Sequence, residues 1–235
     1  MKIDIQHLIF IALGFVLFTI IGTVSHECGH LVAAKALGYK ATLHYGSMDS
    51  SNPDLREKVS DIYRQRKIAT ENKQPIDQNP EHEKTLEKYN SDKLLITLGG
   101  PLQTILTGML GLSFLLFRRR KTHWKQLALV DWLAVFLSLF WLREVFNLAI
   151  SILGEIISPN GSYFGGDEKR ISDLLGLWSG TVPWVSSITG VAICAFVVFK
   201  VVPEQLRVTF ILGAAIGGVS GFMLWMYLLG PILLP

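Results

Sequence analysis

His26-Glu27-Cys28-Gly29-His30 is the stretch of this chain whose residue types and spacing can do chemistry. On a helix, residues four apart project from one face, so His26 and His30 can grip a single metal ion. Glu27 then stands beside that ion as a general base, taking a proton from water as the water attacks a carbonyl. Zinc suits the task because imidazole binds it well and because it brings the pKa of bound water down to about 7. A catalytic zinc takes three protein ligands and leaves the fourth position open. One zinc ion per chain and one further ligand are therefore expected.

The element that must position these residues is an apolar run from about Ile5 to Leu37, interrupted only by the motif and Lys35. Two histidines and a glutamate inside such a run are expensive to bury, which marks them as functional. The plainer alternative is that they pair with other polar groups at the helix end. With Lys35 and Gly38 at the membrane boundary and 1.5 Å per residue, the motif lies roughly 10 Å inside.

The rest of the chain reads the same way. Half of its 235 residues are apolar, 17% are charged, and the charges cluster between long apolar runs. That is the pattern of a multi-pass membrane protein in a lipid bilayer. Further runs at Leu94 to Phe117, Leu127 to Ile157, Trp184 to Val202 and Val208 to Leu229 predict an all-α fold of about five to six transmembrane helices. Arg118-Arg119-Arg120-Lys121 closes the second run, and Pro203-Glu204-Gln205 turns the chain between the last two. The third run carries Arg143, Glu144 and Asn147, and reads as one long helix whose later half faces protein or water. A signal peptide is disfavoured, since the first run is longer than a signal core and more spans follow. The net charge of +3 is small, with basic residues beside apolar runs, so no nucleic-acid partner is implied. Cys28 and Cys194 lie far apart in apolar segments and imply no disulfide framework.

Four regions follow. Residues 1–38 hold the first helix and its motif, and 39–93 form a polar insertion. Residues 94–183 supply two core helices and a loop with the third ligand, and 184–235 form a C-terminal helix pair. In the insertion, Ala41 to Ser47 predicts a short strand. Asn52-Pro53 and Asn79-Pro80 each predict a capped helix start. The two polar helices are joined by a turn around Gln74-Pro75-Ile76-Asp77. Ten basic and ten acidic residues balance across 40–93, the mark of a solvated hairpin, with a lid or substrate-binding element as the alternative. Gly213, Gly217 and Gly221 repeat every four residues, the spacing that lets membrane helices approach closely, within one chain or between copies.

Alternating passes narrow the third ligand. The first helix carries the motif towards one face, where the second begins at Gly99-Gly100-Pro101-Leu102-Gln103. The third helix returns to that face, so Glu144, Asn147, Glu155 and the loop from Ser158 to Pro183 approach it. Asp131 starts on the wrong side. Asp167 is the leading candidate and Glu144 the runner-up. Asp167 also has a plainer role, capping or leading into an amphipathic helix through Ile171, Leu174, Leu175 and Trp178. Gln103 and Asn147 are candidates for substrate binding or for steadying the ligands, with helix–helix hydrogen bonding the alternative. His7, His44, His82 and His123 are scattered.

These residues resemble the site-2 protease family of intramembrane zinc metalloproteases. His26-Glu27-Cys28-Gly29-His30 followed by Leu31-Val32-Ala33-Ala34 is similar to that family's zinc signature and its small residues. Leu37 to Leu43 sits where the family places a β-element, and Leu98-Gly99-Gly100-Pro101-Leu102 is similar to its glycine-proline motif. The second half departs: the family's leucine-aspartate-glycine motif is missing, and Asn160 with Gly165-Gly166-Asp167 is the nearest equivalent. The resemblance implies a divergent member, a multi-pass protein of the cell membrane that cleaves transmembrane segments of other membrane proteins. It implies metal ligation by His26, His30 and an aspartate, with Glu27 catalytic. A different class remains open, a non-catalytic metal-binding membrane protein, either a transporter or a degenerate protease scaffold. A membrane oxidase or desaturase would need many clustered histidines, and six dispersed ones are too few. Association between copies is left open.

Overall fold

The computed structural model of the protein describes residues 3–73, 75, 79–119, 127–159 and 161–235. Gln74, Ile76 and Asp77 of the expected turn, Arg120 and Lys121 of the basic cluster, His123 and Asn160 lie outside them. The described chain is mostly helical, and five helices are long and apolar enough to cross a membrane: Ile5–Ala36, Pro80–Arg118, Leu129–Ile157, Thr181–Val201 and Glu204–Leu233.

Helix α1 (Ile5–Ala36) starts where the Asp4 carboxylate accepts the His7 N–H at 3.1 Å. It ends before Gly38, whose φ of +82° favours glycine. Strand β1 (Lys40–Leu43) then pairs antiparallel with β2 (Met48–Ser51), Leu43 opposite Met48 and Lys40 opposite Ser51. This two-stranded hairpin adds a second strand to the one expected and qualifies the all-α expectation. Its tip is tied to the C-terminal region: Tyr45 N–H donates to the Leu234 carbonyl at 2.9 Å, and Trp225 Nε1–H donates to the Tyr45 carbonyl at 2.7 Å.

Helix α2 (Pro53–Glu71) begins as expected, with Asn52 Oδ1 accepting the Leu55 N–H at 3.2 Å. Its apolar stripe, Leu55, Val59 and Ile62, packs on Leu86 and Tyr89 of α3, a helical spacing that leaves the other face polar. Helix α3 (Pro80–Arg119) corrects one boundary. The second polar helix and the second span were expected as separate elements meeting near residue 93, but they are one helix of 40 residues. Nothing in Asn90-Ser91-Asp92-Lys93 breaks a helix, and a change from polar to apolar residues changes the solvent, not the backbone.

The third span is α4 (Leu129–Ser138), a 3₁₀ turn (Leu139–Trp141) and α5 (Leu142–Ile157). The short helix α6 (Gly166–Leu174) follows, starting and ending earlier than the amphipathic pattern suggested. Helix α7 (Thr181–Phe196) continues through a π-helical turn to Val201, and α8 (Arg207–Leu224) through another to the terminal turn α9 (Gly230–Leu233).

Helix α1 packs chiefly against α8 and α3. The Gly213, Gly217 and Gly221 spacing is used inside the chain: those residues meet Ile11, Ala12 with Phe15, and Val16 with Thr19 of α1. Gly29 and Gly99 do the same between α1 and α3, where a side chain on either would collide with the other's backbone. An aromatic core, including Phe18 stacked on Phe136 at 5.0 Å and Trp132 stacked on Phe210 at 6.0 Å, fills the end of the bundle away from the motif. Asp131 lies at that end too, paired with Arg118 at 2.5 Å, which removes it from the motif as expected.

Candidate metal centre

His26 and His30 project from α1 into the contact with α3, His26 fully enclosed and His30 nearly so. Each imidazole is steadied through Nδ1. His26 Nδ1 lies 2.9 Å from Thr104 Oγ1, and His30 Nδ1 donates to the Ile96 carbonyl at 2.7 Å. Nδ1 so engaged leaves each Nε2 as the atom that can face a metal, the usual way a ligand histidine is oriented.

The loop after α5 returns Asp167 to these two atoms. Glu155 holds the loop's start by accepting the Gly161 and Ser162 N–H groups at 3.0 and 3.3 Å. Gly166, at φ +72°, makes a turn that residues with side chains rarely adopt. Asn147 of α5 donates to Glu168 Oε1 at 3.0 Å, and Ser172 Oγ accepts the Val182 N–H at 3.0 Å, docking α6 against α5 and α7. Asp167 Oδ2 then lies 3.2 Å from His26 Nε2 and 3.2 Å from His30 Nε2, and the two nitrogens are 3.3 Å apart.

Three potential ligand atoms thus form a nearly equilateral triangle. A tetrahedral ion with bonds of about 2.0 Å needs ligand–ligand edges of about 3.3 Å, so the donor set and its spacing fit zinc. His26, His30 and Asp167 are one group able to hold a metal ion, and among the described residues no second such group of three occurs. Burial works to raise the Asp167 carboxyl, but the two imidazoles beside it outweigh burial and hold it below the usual carboxylate range. The ionised form so favoured is the one that binds a cation.

Gly100 closes one side of the triangle. A Cβ built on it would stand 2.5 Å from His26 Nε2 and closer still to His30 Nε2. Ile96, Gly100 and Thr104 are each four apart, one stripe along α3, and sequence reasoning missed all three as parts of the site. The signal was available: a glycine and a hydroxyl at helical spacing in a span facing the motif.

Glu27 is almost enclosed on the next position of α1, and its carboxylate Oε1 lies 3.7 Å from Arg143 Nη2. Glu144, the runner-up ligand, is not in the triangle; its buried side chain lies against Glu168 and Ser186. Asn147 acts through Glu168, next to Asp167, and does not reach the triangle. Gln103 Nε2 donates to Thr107 Oγ1 at 3.0 Å within α3, leaving Oε1 buried without a hydrogen bond. Away from the site, His7 pairs with Asp4 and His44 with Asp49.

Fold and site together define a mostly helical chain with, among the described residues, five candidate membrane spans and a His–His–Asp group able to hold a metal ion. Compared with protein-family models, curated proteins and solved structures, the chain matches none.

Proposed function

We propose that this chain is an intramembrane zinc metalloprotease, a multi-pass protein of the cell membrane that hydrolyses peptide bonds in or near transmembrane segments of other membrane proteins. The observation that carries this reading is the triangle of His26 Nε2, His30 Nε2 and Asp167 Oδ2, with the Glu27 carboxylate beside it and apolar helices around it. Zinc held there supplies Lewis acidity towards a carbonyl and acidifies water. Thr104 and Ile96 fix the imidazoles, and α6 delivers Asp167. Glu27 takes a proton from the attacking water and returns it to the leaving amine nitrogen as the C–N bond breaks. The similarity of the motif and of Gly99-Gly100-Pro101 to the site-2 protease family supports the same reading.

A transporter would carry further metal-binding groups along its path. Of the two acidic candidates for such a path, Asp131 is engaged by Arg118 far from the triangle, which leaves Glu144 alone of the two.

The test is Glu27→Gln in the detergent-purified chain, assayed against a panel of single-span peptides. Zinc content should remain near one per chain while cleavage falls by about 100-fold or more. Cleavage that survives the substitution would sink the protease reading. Metal flux into proteoliposomes that persists in Glu27→Gln would establish the transporter in its place.

A further inference from the structure

Arg143 is a cation that the chemistry above does not use. It sits at the sequence midpoint of the 29-residue candidate span Leu129–Ile157, in the first turn of α5 after the 3₁₀ turn, and a charge inside such a span is costly to bury. A guanidinium carries five N–H donors. An arginine retained there for structure alone would be expected to spend them on neighbouring carbonyls or carboxylates. Here the Nε is buried without a partner. The carboxylate nearby, Glu27 Oε1, lies 3.7 Å from Nη2, past hydrogen-bond reach. The Arg143 side chain is 28% exposed, and the Glu27 side chain beside it 9%.

Glu27 must stand within one water of the carbonyl carbon that it helps to attack. A charged donor 3.7 Å from its carboxylate is therefore beside the place where the carbonyl oxygen gains negative charge.

We propose that Arg143 is a second catalytic residue of the hydrolysis proposed above: its guanidinium donates to the carbonyl oxygen of the scissile peptide and stabilises the charge that develops there. The inference rests on the protease reading and assigns a role to a residue outside the zinc motif. Aimed donors of this kind act mainly on the transition state, so they should move kcat more than KM.

The experiment compares wild type, Arg143→Gln and Arg143→Lys as zinc-loaded full-length chains in detergent. A single-span peptide that wild type cleaves is the substrate. A phosphinic peptide of the same sequence, whose tetrahedral phosphorus carries the charged oxygens, is the probe. Zinc content should stay the same and KM change by less than about threefold, while kcat falls about 100- to 1,000-fold in Arg143→Gln. Affinity for the phosphinic peptide should fall in step with kcat, and Arg143→Lys should recover part of both. A fall in kcat with unchanged phosphinic affinity would overturn the assignment, placing Arg143 as a residue that only positions Glu27. Unchanged kcat would overturn it as well. If Arg143→Gln fails to fold, Arg143→Lys carries the same comparison, because it keeps the charge and moves the donors. Wild type that holds zinc and cleaves no span peptide would instead overturn the protease reading, so the two failures are distinct.

Discussion

Gly100 of α3 stands directly against His30 of α1, and the smallest side chain there would overlap His30 Nε2. That span therefore forms a wall of the candidate metal centre while contributing none of its three potential ligands. Gly100→Ala is expected to abolish zinc binding with helicity intact. Metal analysis alongside circular dichroism decides this; a fully loaded, folded Gly100→Ala chain would remove the wall from the account.

Thr104 reaches the same centre through His26 Nδ1 at 2.9 Å. Thr104→Val keeps the shape and deletes the hydroxyl, so zinc affinity should drop about 10- to 100-fold. Competition with a chelator of known affinity measures it, and Thr104→Ser should restore most of the loss.

Asp167 and Glu144 were alternatives in the sequence, and the geometry separates them. Asp167→Ala should lose zinc or bind it far more weakly. Glu144→Gln should keep it, because that carboxyl lies against Glu168 and Ser186. Zinc stoichiometry of the two variants side by side tests the assignment, and the reverse pattern would move the third ligand to α5.

How much of this was legible beforehand depends on the physics each residue obeys. The His26-to-His30 motif stood out because two histidines and a glutamate in an apolar run have few structural uses. The spans were plain because length and hydropathy set them, and Asn52-Pro53 and Asn79-Pro80 marked helix starts because capping is local. Asp167 was visible only as one of several choices, since α6 is held by contacts with α5 and α7 that no local pattern encodes. Strand β2 was missed because Met48-Asp49-Ser50-Ser51 has no strand composition; its partner β1 imposes the conformation. Gly100 and Thr104 were missed because a glycine reads as packing and a threonine as filler until the facing helix is known.

The seam between α1 and α8 offers a stability test. A Cβ on Gly217 would fall onto Ala12 and Phe15 of α1. Gly217→Leu should therefore destabilise the chain by about 1–3 kcal/mol, lowering the thermal midpoint in detergent. Gly218→Leu should have a smaller effect, since a Cβ at Gly218 meets nothing within 4 Å.

Tyr39, just beyond α1, donates to Asp92 at 3.1 Å. Burial, reinforced by that carboxylate, pushes its hydroxyl up to about 12. Folding thus favours the neutral phenol, a stabilisation fully present below about pH 10 and lost as pH rises through 12. The phenolate absorbance that separates wild type from Tyr39→Phe should appear near pH 12. Its appearance at about pH 10 would show that Tyr39 titrates like a free tyrosine.

Helix α3 is continuous up to and past Pro101, the interior position where a proline removes one backbone hydrogen bond. At 1.5 Å per residue it is about 60 Å long, twice a hydrocarbon thickness of about 30 Å. Its outer half extends about 30 Å from Pro80 to Gly100. One degree of tilt of this segment about the outer end carries Gly100 sideways by about 0.5 Å, the tolerance within which a preorganised site works. The apolar stripe of α2, Leu55, Val59 and Ile62 clamped on Leu86 and Tyr89, is thus a brace as well as a solvated arm. The packing of α2 on the polar end of α3 thus bears on where Gly100 stands against His26 and His30.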